Sequence, residues 1–162
     1  MVPPDNHRLI LYVHPAWKRG YIHSPLLNPW WGNPFVEATS FAKQMYDTYS
    51  FDTSLYTITD IITDADMVFP PYQYQWLLRH DVPLWNECVS TAQRAGIPLL
   101  VDNAGDVDYS IDVPNAYMLS IGGYRFIPER GRIVIPPPVD DLLERCVNGE
   151  LQIRKKQERK NP

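Results

Sequence analysis

Ala95-Gly96-Ile97-Pro98-Leu99-Leu100-Val101-Asp102-Asn103-Ala104-Gly105-Asp106 is the stretch whose reading decides the fold. It reads as a helix end, a glycine stop, a buried strand and a polar loop. Gly96 stands where a helix C-cap needs a residue that tolerates positive φ. Pro98 cannot continue the helix. Ile97 to Val101 is short and almost wholly apolar, the pattern of a strand covered on both faces. The loop after it carries Asp102, Asn103, Gly105, Asp106 and Asp108 within seven positions. Ligands of open α/β sheets bind outside the carboxyl ends of strands, so this loop is the first candidate site.

Working outward, Arg8 to His14 is a β-rich run and the expected first strand, with His14 at its carboxyl end. Residues 15–32 hold Pro15, Trp17, Tyr21, Trp30 and Trp31 and read as one long aromatic and proline loop without secondary structure. Loops of that length tend to be functional. Asn33-Pro34 then sets up an N-cap and a first helical position, and the apolar spacing from Phe35 to Tyr49 predicts an amphipathic helix. Leu55 to Ile58 fits a short strand or a turn. Asp60 to Asp66 fits a short helix or turn, and Met67-Val68-Phe69 a buried strand stopped by Pro70-Pro71. Tyr72 to Leu78 suits one or two helical turns. Asp81 can cap a helix from about Pro83 to Ala95. Ala116 to Ser120, ended by Gly122-Gly123, and Arg132 to Ile135, stopped by three prolines, are further strands. A helix opened by Asp140 or Asp141 runs through Cys146 to a stop at Asn148-Gly149.

Strands alternating with helices imply an α/β, Rossmann-like layer architecture, a mostly parallel sheet with helices on both faces. The 162 residues suit one such domain over 1–149, followed by a basic linker or tail over 150–162. Net charge is −4 overall. The tail carries five Lys or Arg and two Glu, so the rest of the chain stands at −7, which argues against a broad nucleic-acid surface. Cys88 and Cys146 show no metal spacing and read as reduced thiols of a cytoplasmic protein. No signal peptide and no apolar span of membrane-crossing length is legible.

The chemistry-bearing residues have plain alternatives. Asp102 to Asp108 can hold a general base or bind sugar hydroxyls, and also suits a solvated turn. Asp64-x-Asp66 precedes a strand and fits a turn, whereas Asp106 and Asp108 are placed to hold Mg²⁺ or Mn²⁺ if any pair does. His14 can reach a cleft as acid, base or ligand, or serve as a hydrogen-bonded structural residue. The aromatics of the long loop offer stacking faces for sugar rings, or pack it onto the core. The glycine fingerprints of phosphate loops and of dinucleotide sites are absent, as is a nucleophile elbow.

Three segments together resemble the exostosin-like glycosyltransferases. They are Thr63-Asp64-Ala65-Asp66-Met67-Val68-Phe69-Pro70-Pro71, then Pro83-Leu84-Trp85-Asn86 with its helix and the strand ending in an Asn/Gly/Asp loop, then Gly131-Arg132-Ile133-Val134-Ile135-Pro136-Pro137-Pro138. Where that family has a Gly-x-Asp-His-type signature, this chain reads Gly105-Asp106-Val107-Asp108. The resemblance implies the GT-B arrangement of two Rossmann-like domains. This chain would be the acceptor-side half of a hexosyltransferase, inactive alone. A missing C-terminal domain would bind the nucleotide-sugar co-substrate, and no other cofactor and no resident metal is expected. The partners implied are a glycan acceptor and that second domain. On this reading Asp106 is the first candidate base, Asp102 the second and His14 an alternative. Asn103, Gly105, Asp108, Trp17, Trp30 and Trp31 would bind substrate. Two other readings stand beside it: a non-catalytic α/β module binding a ligand or protein, and a single-domain metal-dependent transferase built on Asp106 and Asp108.

Overall fold

A computed structural model describes residues 8–35, 43, 46, 47, 51–103, 110–121 and 131–135. It contains one six-stranded sheet: β1 (Leu9–Tyr12), β2 (Tyr56–Thr59), β3 (Met67–Val68), β4 (Leu99–Asn103), β5 (Ala116–Ile121) and β6 (Arg132–Ile135). The strand order is β2-β1-β3-β4-β5-β6, and every pairing is parallel. The expected α/β class is what the chain adopts. The order reverses between β1 and β3, which makes the carboxyl ends of those two strands the topological switch point.

Helices with both ends among the described residues are α1 (Asn28–Trp31), α2 (Tyr74–His80) and α3 (Val82–Ala95). The last is built by the local signals the sequence carries. The Asp81 carboxylate accepts the Leu84 N–H at 3.1 Å, and Pro83 sits in the first turn, where no N–H is needed. At the other end Gly96 adopts φ +69°, and Ile97 N–H donates back to Ala92 O at 3.2 Å. That bond is the Schellman closure of a helix.

Both faces of the sheet carry apolar side chains. On one face Tyr12, Val68, Leu99 and Val101 pack with Leu77, Leu84, Trp85, Cys88 and Ala92 of α2 and α3. On the other, Leu11, Val13, Phe69 and Leu100 pack with Leu27 and Tyr56, and with the half-buried Trp30 and Trp31. Asp66 locks the amino edge. Its carboxylate accepts the Ile10 N–H at 2.8 Å while its own N–H donates to Ile10 O at 2.8 Å. The Asp64-x-Asp66 triplet is therefore, at Asp66, a structural clamp. Gly131, entering β6 with φ +84°, has no room for a side chain: a Cβ there would stand 2.5 Å from Ala116 O.

Two boundaries differ from expectation. The loop 15–32 is not structureless: Pro15–Trp17 and Pro25–Leu27 are 3₁₀ turns, and the second runs straight into α1. Each turn starts on a proline, whose fixed φ suits a helical first position. The strand after Gly96 begins at Leu99 and extends through Asn103. Asp102 and Asn103 belong to it because their backbones pair with Leu119 and Ser120 of β5; ladder pairing, not side-chain polarity, ends a strand. The Asn33 cap makes its expected bond, with Phe35 N–H donating to Asn33 Oδ1 at 2.9 Å. Lys43, Tyr46 and Asp47 are helical. The remainder of that helix, Gly122-Gly123, the helix from Asp140 and the basic tail lie outside the described residues.

Candidate functional site

Position in the fold directs attention to the carboxyl ends of β1 and β3. The chain itself fills that switch point. Trp17 and Tyr72 meet there, each 1% exposed. The Tyr72 hydroxyl donates to Trp17 O at 3.1 Å and accepts the Arg19 N–H at 2.7 Å. Ser24 N–H donates to Pro71 O at 2.8 Å, and the Arg19 guanidinium donates to the Asp81 carboxylate at 2.7 Å. These bonds stitch residues 15–24 across the end of β3.

The opening lies one strand over. Between the carboxyl ends of β1 and β2 is a recess of about 420 Å³, walled by Pro15, Lys18, Trp31, Ile58, Thr59 and Asp60. Strand pairing creates it: Tyr12 is in register with Thr59, so Val13 and Asp60 leave the sheet side by side. The Lys18 ammonium lies 5.2 Å from the centroid of the Trp31 ring, a cation–π arrangement. An indole, an ammonium, a hydroxyl and a carboxylate thus share one small opening. Such a set can stack the C–H face of a sugar ring and hydrogen-bond its hydroxyls.

A second recess of about 410 Å³ lies on the α3 side of β1, lined by Tyr12, His14, Glu87, Thr91 and Arg94 among others. His14 borders it in a defined state. Ala16 N–H donates to His14 Nδ1 at 3.1 Å, so the neutral ring carries its proton on Nε2.

The three tryptophans expected to bind substrate separate clearly. Trp17 is core, edge-on to Tyr12 at 5.5 Å, with its Nε1–H donating to Glu87 at 3.0 Å. Trp30 packs edge-on against Tyr56 at 5.2 Å. Trp31 packs edge-on against His23 at 5.4 Å and lines the recess. Asp102 and Asn103 sit in β4 at 4% and 1% exposure, so their side chains are interior groups. Gly105, Asp106 and Asp108 lie outside the described residues. Among the described residues no cluster of three or more His, Cys, Asp or Glu is arranged to hold a metal ion. Nor, among them, is any helix long and apolar enough to cross a membrane.

No family model, no curated protein and no solved structure matches this chain.

Lys18, Thr59 and Asp60 line the recess without having stood out in the sequence. The available signal was Tyr56 to Thr59 as a strand, which places Asp60 at a carboxyl end; reading Asp60 as the start of a turn hid it.

Behind Trp31, His23 is 5% exposed, with Nε2 3.0 Å from Gly32 O. Burial holds its pKa below the usual 6.5, against the opposing hydrogen bonds to Gly32 and Asn28. The folded state thus resists the proton that the unfolded state accepts. The stability linked to His23 is complete above about pH 6.5 and declines as pH falls from there toward the depressed folded value. Urea midpoints measured at pH 7.5 and 5.5 should drop in the wild type. His23→Gln should remove part of that drop, and an unchanged slope would mean His23 does not titrate differently on folding.

Proposed function

We propose that this chain binds a glycan at the carboxyl edge of its sheet and serves as the acceptor-side half of a glycosyltransferase. The observation that carries the reading is the recess between β1 and β2, where the Trp31 ring, Lys18, Thr59 and Asp60 converge. The transferase part rests on the sequence resemblance over Thr63–Pro71, Pro83–Asn86 and Gly131–Pro138. Its chemistry would be attack of an acceptor hydroxyl oxygen on the anomeric carbon of a nucleotide-bound sugar, the bond from that carbon to the phosphate oxygen breaking and the nucleotide leaving with the electron pair, while in an inverting reaction a carboxylate takes the hydroxyl proton. Asp106 remains the first candidate for that base, and Asp60 joins the list as a carboxylate exposed beside the ring. The donor would be held by a second domain, and catalysis needs both substrates held together. A non-catalytic glycan-binding module is the second reading, and one observation favours it: Asp102, a candidate base, is 4% exposed.

Ligand-observed NMR against oligosaccharides and nucleotide sugars tests the binding claim. Oligosaccharides should show transfer signals, and nucleotide sugars should not. Trp31→Ala should weaken oligosaccharide binding at least about tenfold, about 1.4 kcal/mol. Asp60→Asn, at an exposed position, should weaken it while leaving the thermal midpoint unchanged. Wild-type affinity in both variants would place the ligand elsewhere, and nucleotide-sugar binding by this chain would reverse the division of labour.

A further inference from the structure

The recess on the α3 side of β1, about 410 Å³ in volume, shares no lining residue with the Trp31 recess. Its volume lies within the range of small-molecule sites. Local rules build it. Tyr12 leaves β1 on the face that α3 packs. Glu87, Thr91 and Arg94 follow one another at intervals of four and three residues, so they share one flank of α3. Ile62 and Ala95 add apolar wall.

Tyr12 is 7% exposed, yet no group among the described residues hydrogen-bonds its hydroxyl. Buried tyrosine hydroxyls usually have a partner. The ring stands edge-on to Trp17 at 5.5 Å. Burial, with the Asp60 and Glu87 carboxylates nearby, raises its pKa above the usual 10.0. The phenol therefore stays protonated at neutral pH and is a donor that lacks an acceptor.

Two charges share the recess with it, and among the described residues neither has an ion-pair partner. Glu87 Oε1 accepts the Trp17 Nε1–H at 3.0 Å, which holds the carboxylate against the indole. Arg94 Nη2 donates to the Thr91 hydroxyl at 3.3 Å, which folds the guanidinium back to the level of Thr91. Thr91 stands four residues beyond Glu87, about 6 Å along the helix axis at about 1.5 Å per residue. A lone carboxylate would be repelled by Glu87 and a lone amine by Arg94; a zwitterion satisfies both. A dipeptide has the matching span. One trans Cα–Cα step of about 3.8 Å and a terminal bond of about 1.5 Å at each end separate its ammonium from its carboxylate. Its peptide carbonyl is the acceptor that the Tyr12 hydroxyl lacks. A free α-amino acid has neither the span nor the carbonyl.

We propose that this recess binds a zwitterionic dipeptide. Arg94 holds the carboxylate, Glu87 holds the ammonium, and the Tyr12 hydroxyl donates to the peptide carbonyl. The site is separate from glycan binding at the Trp31 recess and does not depend on it.

Isothermal titration calorimetry of the full chain with alanyl-alanine reads the site. Binding should be saturable at millimolar peptide, and acetylating the amine or amidating the carboxylate should each weaken it at least about tenfold. Arg94→Gln should weaken alanyl-alanine by the same factor while leaving the affinity for the amidated peptide as in wild type. Glu87→Gln, whose amide oxygen still accepts from Trp17, should do the same with respect to the acetylated peptide. Tyr12→Phe should weaken alanyl-alanine about fivefold, the scale of one hydrogen bond, and leave the thermal midpoint unchanged, because no protein group loses a partner. Oligosaccharide affinity should match wild type in all three variants, which separates failure of this site from failure of the Trp31 recess. No saturable binding of alanyl-alanine to the wild type would overturn the proposal. Equal affinity for free alanine would also overturn it, as would equal affinity for δ-aminovalerate, which has the span without the carbonyl. Wild-type affinity for alanyl-alanine in Arg94→Gln, or a lowered midpoint in Tyr12→Phe, would do the same.

Discussion

Trp17→Ala is expected to lower the unfolding free energy by about 3–5 kcal/mol, the range for deleting a large aromatic from a core. Domains of this size are stable by only about 5–15 kcal/mol, so the variant should be partly unfolded at physiological temperature. The expectation follows from what the indole touches. It is 1% exposed, stands edge-on to Tyr12 at 5.5 Å, and donates to Glu87 on α3 at 3.0 Å. Its carbonyl accepts the Tyr72 hydroxyl at 3.1 Å, so the backbone that carries it is tied to the chain following β3. Deleting the ring opens a cavity at the switch point and loosens the residues that wall the recess. Trp17→Phe keeps an aromatic in the space, loses the bond to Glu87 and leaves a smaller void than alanine does, and should cost about 1–2 kcal/mol. Urea unfolding of the three proteins measures the ladder. An alanine variant within about 1 kcal/mol of wild type would mean the loop is held from somewhere other than Trp17.

Three tryptophans sit in the segment 15–32, and nothing in their local sequence tells a core residue from one that lines the recess. Trp17 is sorted to the core by Glu87, which is 70 positions away. Trp31 is sorted to the recess by its position across from Asp60, which depends on β1 pairing with β2. Neither relation has a local pattern, which explains why the sequence could not tell the core tryptophan from the one that lines the recess. The elements that were legible are those whose signals are local. The helix Val82–Ala95 announces itself through Asp81, Pro83 and Gly96, and β6 through a four-residue apolar and basic run ended by prolines. The end of β4 lies between these cases. Polarity suggested a loop at Asp102, but backbone pairing to β5 continues through Asn103 and takes both side chains inside.

Asp81→Ala is the second large effect, at about 2–3 kcal/mol, because one carboxylate holds two structures together. One oxygen accepts the Leu84 N–H and caps α3, and losing such a cap costs about 0.5–2 kcal/mol. The other accepts from Arg19 at 2.7 Å; the Asp81 side chain is 10% exposed and the arginine 42%. Half-exposed pairing of that kind contributes no more than about 1 kcal/mol. Asp81→Asn keeps the cap oxygen and surrenders the charge, so it should cost no more than about 1 kcal/mol, and Arg19→Ala about the same. The consequence for binding is distinct from that for stability. Arg19 adjoins Lys18, whose ammonium lies over Trp31, so releasing Arg19 loosens one wall of the recess. Arg19→Ala should therefore weaken oligosaccharide binding while α3 keeps its helicity. Combining it with Asp81→Asn should add little further loss, the non-additivity of residues that act as one pair. Full additivity of the two variants in binding would mean that the ion pair does not position Lys18, and that the recess is shaped by Trp31 and β2 alone.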